Sequence, residues 1–373
     1  MSRQSIFAIV LFIALGAAIP ARAQHPGGGP PPTPPGTFGA TPSPSPKPSP
    51  SPSPTPPTMH QRLHFSFPGL RPDDPTARTS NIAVDRAIDR LSIPPATPAP
   101  ANPEPGKDVK EMKDVKDVVP PAGCDGWFCN PSVFTEYDFV HSADLRQFGF
   151  DSTTNAFSLG GDFFTKGNVL VGLIYTFNDQ ADRSSFLKTR GDEYDNLVSL
   201  YLAKNFWNWV NVGIAGGYSY TGANETLLGP GGFSAGYSNN QWNIAPFVGV
   251  AHTWGAFSAS LTTTYLDEWN RTSGIDVIPG FESRVDLFEF TLRLGYQVTD
   301  KLKVEAYSRF VQVVDVPPES VFLPEDRNWW VFGTKIGYQV CQPCQLYVGY
   351  EYAAFDRSYV DHTVKAGLSV AFW

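Results

Sequence analysis

The side chains in this chain that could do chemistry are four cysteines, six histidines and a scatter of single charges. The cysteines fall as two close pairs, Cys124/Cys129 and Cys341/Cys344. In an oxidising compartment each pair is most simply a local disulfide. Cys341-Gln342-Pro343-Cys344 also has the spacing of a thiol redox motif. It lies between two strand patterns rather than at the start of a helix, so a staple across a hairpin is expected. No histidine stands at the spacing that would complete a zinc finger, and neither a metal nor a cofactor is expected.

Nucleophilic catalysis needs a hydroxyl or thiol within reach of an oriented base. Past residue 132 the histidines are His141, His252 and His362. His252 falls in the register of its apolar neighbours near a tight turn. His362, close to Asp361, sits at the end of the last strand pattern and points the same way. No serine stands beside either in a recognisable motif, so no catalytic residue is assigned and an enzyme is not expected. The remaining candidates are charges that alternate with apolar residues: Asp162, Glu289, Arg293, Lys303, Glu305, Arg309, Lys335, Glu351 and Lys365. Glu289/Arg293 and Lys303/Glu305/Arg309 fall on consecutive strand patterns, so opposite charges can ladder across an enclosed space. Such a set either solvates a water-filled interior or forms a constriction that docks a plug.

The elements that would position these charges are strands. In Thr363–Trp373, Val364, Ala366, Leu368, Val370 and Phe372 alternate with Lys365, Gly367, Ser369 and Ala371. This is a period-two pattern with one greasy face and one small, polar face. Similar runs recur from Thr154 onward, among them Val169/Val171/Leu173/Tyr175/Phe177 and Phe288/Phe290/Leu292/Leu294/Tyr296. Each is about 10–14 residues long, enough to cross a bilayer at a tilt. Tight turns are expected near Lys166-Gly167, Trp207-Asn208, Trp254-Gly255, Thr299-Asp300 and Cys341–Cys344. Long loops are expected over Asn178–Gly191, Thr221–Asn240, Arg271–Ser283 and Asp315–Arg327. Trp207, Trp209 and Trp254 stand at the short turns, and Trp242, Trp269, Trp329 and Trp330 beside the long loops, as rings with a polar edge do at water–lipid interfaces. Eleven strands are evident. An even number is needed for closure with both ends on one side, which places a first strand near Phe139–Phe150 and makes about twelve.

Upstream, Arg3, the apolar run Ile6–Ala18 and Ala21-Arg22-Ala23 read as an export signal over residues 1–23. Residues 24–79 form a Pro/Ser/Gly-rich linker expected to be disordered, its Ser-Pro alternation favouring polyproline II. Residues 80–132 hold two short helical patterns, Ser80–Leu91 and Asp108–Val119, and the Cys124/Cys129 segment. Residues 133–373 are the strand-rich part. Aromatic residues make up 14% of the chain and charged residues 17%, a balance that suits lipid-facing strands. A net charge of −8 with no basic cluster leaves no footprint for nucleic acid.

The stretches Phe157-Ser-Leu-Gly-Gly-Asp162, Val169-Leu-Val-Gly-Leu-Ile-Tyr175, Asn196-Leu-Val-Ser-Leu-Tyr201 and Val212-Gly-Ile-Ala-Gly-Gly-Tyr218, with the aromatic terminus, resemble the barrel of autotransporters (type V secretion proteins). The resemblance covers roughly Phe134–Trp373. It implies a twelve-stranded antiparallel outer-membrane β-barrel, a helix threaded through the pore and export of an N-terminal passenger. It also implies lipid, the barrel-assembly machinery and periplasmic chaperones as partners. Val109–Val119 matches the pore helix in position. The chain departs from the family pattern twice. Gln24–Ala122 shows no core-forming passenger, and Trp373 is one position out of phase, leaving Phe372 for the assembly contact of the terminal residue. The sequence therefore reads as an outer-membrane barrel with a minimal or vestigial passenger; the alternatives are a small porin with a charged lumen and a structural surface protein.

Overall fold

The computed structural model describes residues 75–92, 128–144, 150–184, 189–228, 232, 234–273, 280–315, 328–355 and 359–372. The export signal, most of the Pro-rich linker, Asp108–Val119, Cys124 and Trp373 lie outside the described residues. Among the described residues one helix, α1 (Pro75–Ser92), precedes twelve strands: β1 Cys129–Asp144, β2 Phe150–Phe164, β3 Val169–Ser184, β4 Thr189–Phe206, β5 Val210–Leu227 and β6 Ser234–Trp254. The second half comprises β7 Phe257–Thr272, β8 Phe281–Gln297, β9 Leu302–Asp315, β10 Asn328–Gln339, β11 Cys344–Phe355 and β12 Tyr359–Ala371. Each strand pairs antiparallel with the next, and β12 pairs with β1 from Ser132↔Ala371 to Asp144↔Tyr359, so the sheet closes on itself. The seam is finished by the Phe372 amide, which donates to the Pro131 carbonyl at 2.7 Å. Closure leaves no row of unpaired amides, the condition for a sheet surrounded by hydrocarbon.

The alternation in the sequence becomes two faces. Val198, Leu200 and Leu202 of β4 point outward, with Leu200 59% exposed, while Leu197, Ser199 and Tyr201, alternating with them, are buried inside. Among the described residues no helix is long and apolar enough to cross a membrane. Outward aromatics mark two levels. Trp207, Trp209 and Trp254 are exposed at the short-turn end. Toward the other end, Tyr hydroxyls donate across hairpins to asparagines: Tyr137 to Asn155 at 2.7 Å, Tyr175 to Asn196 at 2.7 Å and Tyr218 to Asn240 at 2.6 Å. Trp242, Trp269 and Trp330 share the outward face, but Trp329 departs from expectation and is buried on the inner one.

The first strand and three expected loops differ from the sequence reading. The first strand is β1 at Cys129–Asp144, because Phe150 already belongs to β2. Its inner face mixes Phe134 and Val140 with Asp138, which disguises the alternation. Much of the expected long loops at 178–191, 221–240 and 271–283 is strand, since ladder pairing continues where both faces have turned polar. Residues 316–327 of the fourth expected loop lie outside the described residues. The connections at the opposite end stay short. At one of them Trp207 and Asn208 both lie in the left-handed region, with φ of 53° and 63°, the geometry of a tight type I′ hairpin. Cys341 and Cys344 are bonded in another, and Cys129 is also disulfide-bonded.

Inside, rings lie over glycines of the neighbouring strand. A Cβ built on Gly172 would stand 2.1 Å from the Tyr201 ring, one on Gly333 2.1 Å from Tyr307 and one on Gly367 2.2 Å from Tyr347. Only glycine lets these rings lie flat against the backbone, an arrangement that fills the wall and pins the register. Gly333→Val is expected to destabilise the barrel by about 1–3 kcal/mol through forced displacement of Tyr307. Gly167→Ala, where the nearest atom is 4.0 Å away, is expected to be neutral. The check is the temperature at which each purified protein loses its compact migration on a denaturing gel.

Candidate functional site

The lumen is occupied by α1. Pro75 opens the helix, where a missing N–H costs nothing, and Pro94-Pro95 follow its end. It thus begins five residues before Ser80, where the helical pattern in the sequence starts. A stripe of small residues (Thr76, Thr79, Ser80, Ala83 and Ala87) is buried to 2% exposure or less and lets the backbone approach the β3–β6 wall. Facing it are small inward residues, Ala203, Ala215 and Ala245, with Ile82, Ile88 and Phe247 in the same apolar cluster. Polar contacts fix the approach. Thr76 donates to Gln241 at 2.9 Å, Asn243 donates to Ser80 at 3.1 Å, and Thr79 donates to Thr176 at 3.3 Å.

The other two sides of α1 are charged, with opposite sign. Arg86 and Arg90, one turn apart, both pair with Asp162 of β2, at 2.9 Å and 2.8 Å. The Asp162 carboxylate is fully buried and also accepts from Ser132 at 2.8 Å and from the Tyr201 hydroxyl at 3.0 Å. Arg86 lies 4.7 Å from the centre of the Phe134 ring and Arg90 5.2 Å from that of Phe164. On the opposite flank Asp85 and Asp89 meet Arg293 at 2.6 Å and 2.9 Å, and Lys335 reaches Asp89 at 3.4 Å. Here α1 stands off the wall, leaving a cavity of about 70 Å³ between Asp89, Glu136, Arg293, Lys335 and Lys365.

The structure accordingly places the sequence-derived charges inside and gives most of them partners. Arg293 and Lys335 turn to the helix rather than to neighbouring strands. Lys303 pairs with Glu305 two residues away at 2.7 Å, and Lys365 pairs with Glu351 at 2.8 Å. Arg309 stands 3.9 Å from both Glu289 and Asp85. Tyr307 donates to Glu351 and Tyr347 to Glu136. His252 and His362 point outward, the latter sharing a 2.7 Å hydrogen bond with Tyr350. Among the described residues no group of three or more His, Cys, Asp or Glu is arranged to hold a metal. Sequence reasoning passed over Asp138, Glu136 and Tyr201 as inward residues. It also passed over an apolar inner patch formed by Leu266, Val285, Leu287, Val311, Trp329 and Val331. The small stripe and the Asp-Arg repeat at four-residue spacing were the available signals for α1 as the luminal helix.

The helix has a direction. Thr76, Ser80 and Ile88 meet Gln241, Asn243 and Gly249 in that order along β6, which runs toward its short turn. Arg90 donates to the carbonyl of Asn130 at the start of β1. The N-terminal end of α1 therefore faces the loop end of the barrel, and its C-terminal end faces the short turns and both strand termini.

No protein-family model and no curated protein sequence matches the chain. Among solved structures it is similar to the translocator domain of the autotransporter NalP from Neisseria meningitidis, with a TM-score of 0.55 at 10% identity, covering 66% of this chain and 90% of that one. It is similar to the β-domain of the Bordetella autotransporter BrkA, with a TM-score of 0.53 at 15% identity, covering 65% and 100%. The transport unit of the autotransporter AIDA-I from Escherichia coli aligns with a TM-score of 0.50 at 15% identity, covering 78% and 98%. At these identities the likeness is one of fold: a closed twelve-stranded outer-membrane-type barrel of the autotransporter translocator kind.

Asp162→Asn removes one member of a buried charge cluster and leaves two arginines facing a neutral amide. It is expected to loosen the seating of α1 by about 3–5 kcal/mol. Amide hydrogen exchange checks this: protection should fall in Pro75–Ser92 and persist in the strands.

Proposed function

We propose that the protein is an outer-membrane translocator whose own N-terminal arm is its cargo, carried to the cell surface while α1 stays behind in the lumen. The observation that carries this reading is the direction of α1. The chain before Pro75 continues from the end of the helix nearest the loops, and the chain after Ser92 returns to β1 from the end nearest the short turns. Short turns and both barrel termini belong to the periplasmic side of such barrels. The arm therefore leaves on the outside, and residues 1–23 serve as the export signal removed on the way. An arm of Ser-Pro repeats is a spacer of roughly 3 Å per residue, which makes the passenger minimal rather than a folded module. The reading assigns no catalytic role to any residue. Lipid and the barrel-assembly and chaperone machinery are its partners, with the half-exposed Phe372 beside Trp373 as the terminal signal.

Trypsin added to intact cells tests the side of the arm, since the Arg62–Leu63 bond offers a cleavage site ahead of the helix. Cleavage there with α1 spared is the expected result. Protection in intact cells, with cutting only after the outer membrane is permeabilised, would remove the translocator reading.

The charged lumen supports the porin alternative only if α1 can be absent. Deleting Pro75–Ser92 should therefore raise single-channel conductance in planar bilayers well above that of the full chain. Equal conductance in both forms would mean that the helix does not fill the pore.

A further inference from the structure

The sequence of α1 repeats every four residues: Asn81, Asp85 and Asp89 follow one another along one edge, and Val84, Ile88 and Ser92 along another. The wall facing the first edge has an order of its own. Asn81 donates to Glu289 at 3.3 Å, Arg309 stands 3.9 Å from Asp85, Arg293 spans Asp85 and Asp89, and Lys335 takes Asp89. A screw of about 6 Å and about 40° would carry each residue into the place of the next. One-turn shifts of this kind are an established mode of helix movement. One pair at each charge site would survive such a shift: an acid would still stand beside Arg293 and an arginine beside Asp162.

The two directions of the shift differ at Glu289. One turn toward the loop end would bring Asp85 into the place of Asn81, against a carboxylate that is 6% exposed. Two like charges at a buried site repel strongly. One turn toward the short-turn end would instead bring Asn81 beside Arg293 and Ala77 beside Glu289, with no repulsion. We propose that Glu289 is the positioning residue that sets the register of α1. It accepts the amide of Asn81, refuses a carboxylate in that place, and so stops the helix from passing one turn further out. This holds whether or not the arm is exported, because it concerns only how the helix is seated.

Cross-linking to Gly249 tests the inference, because a Cβ on Gly249 would lie 3.1 Å from the Ile88 side chain. In the full-length protein purified in detergent, a photo-reactive amino acid at position 88 is expected to label the peptide around Gly249. Probes at positions 84 and 92 should label it poorly. Asn81→Asp puts an acid opposite Glu289 and is expected to move the helix one turn toward the short turns, so that labelling passes from position 88 to position 84. Adding Glu289→Gln should return it to 88. Glu289→Lys turns the stop into an acceptor for Asp85 and should move labelling the other way, from 88 to 92. It decides the matter alone if Asn81→Asp does not fold. Labelling that stays at position 88 in folded Asn81→Asp and in folded Glu289→Lys would overturn the assignment.

Discussion

A backbone amide in hydrocarbon has no water to fall back on, and everything in this barrel follows from that. The sheet must close, which sets an even strand count with both termini at one end, and it must keep its ladder intact through the seam between β12 and β1. The outer wall must then be mostly apolar over the membrane's thickness, which sends most charged and amide side chains of the crossing stretches inward. The interior is therefore polar by default, and it must be filled, solvated or paired.

Here it is filled by a helix held in two unlike ways. Against β3–β6, small residues on both partners allow close approach, so dispersion and a few neutral hydrogen bonds do the holding. Against the remaining wall, contact is made by long charged side chains reaching across space. The division is physically sensible, because burying charges with a poor fit costs several kcal/mol each, whereas Asp162 satisfies its lone pairs with two arginines, a serine and a tyrosine. A plug seated by apolar packing alone could turn or slide. Opposite charge stripes on opposite walls fix its rotation, and the Asn81–Glu289 contact distinguishes its height.

The inner glycines belong to the same economy of space. Rings of Tyr201, Tyr307 and Tyr347 lie flat on the neighbouring strand, which thickens the wall without intruding on the helix, and each hydroxyl ends on a carboxylate. Wall, register and charge network are thereby tied to one another.

The period-two pattern was legible from the residues alone, and with it the strands from Thr154 onward and their lipid-facing side. That is because lipid imposes its demand on each strand locally, one residue at a time. The first strand was harder to see, since its inner face carries Phe134 and Val140 beside Asp138. Strand extensions above the membrane were missed because pairing there depends on the neighbouring strand and not on any hydrophobic signal. Sequence showed two amphipathic stretches and the Asp-Arg repeat, and the resemblance matched the pore helix to Val109–Val119, which lies outside the described residues; the helix found in the lumen is α1, and its direction was not legible. Those were decided by tertiary structure, because the complement of the repeat is spread over β2, β8 and β10. Only closure of the barrel brings Asp162, Arg293 and Lys335 around one axis.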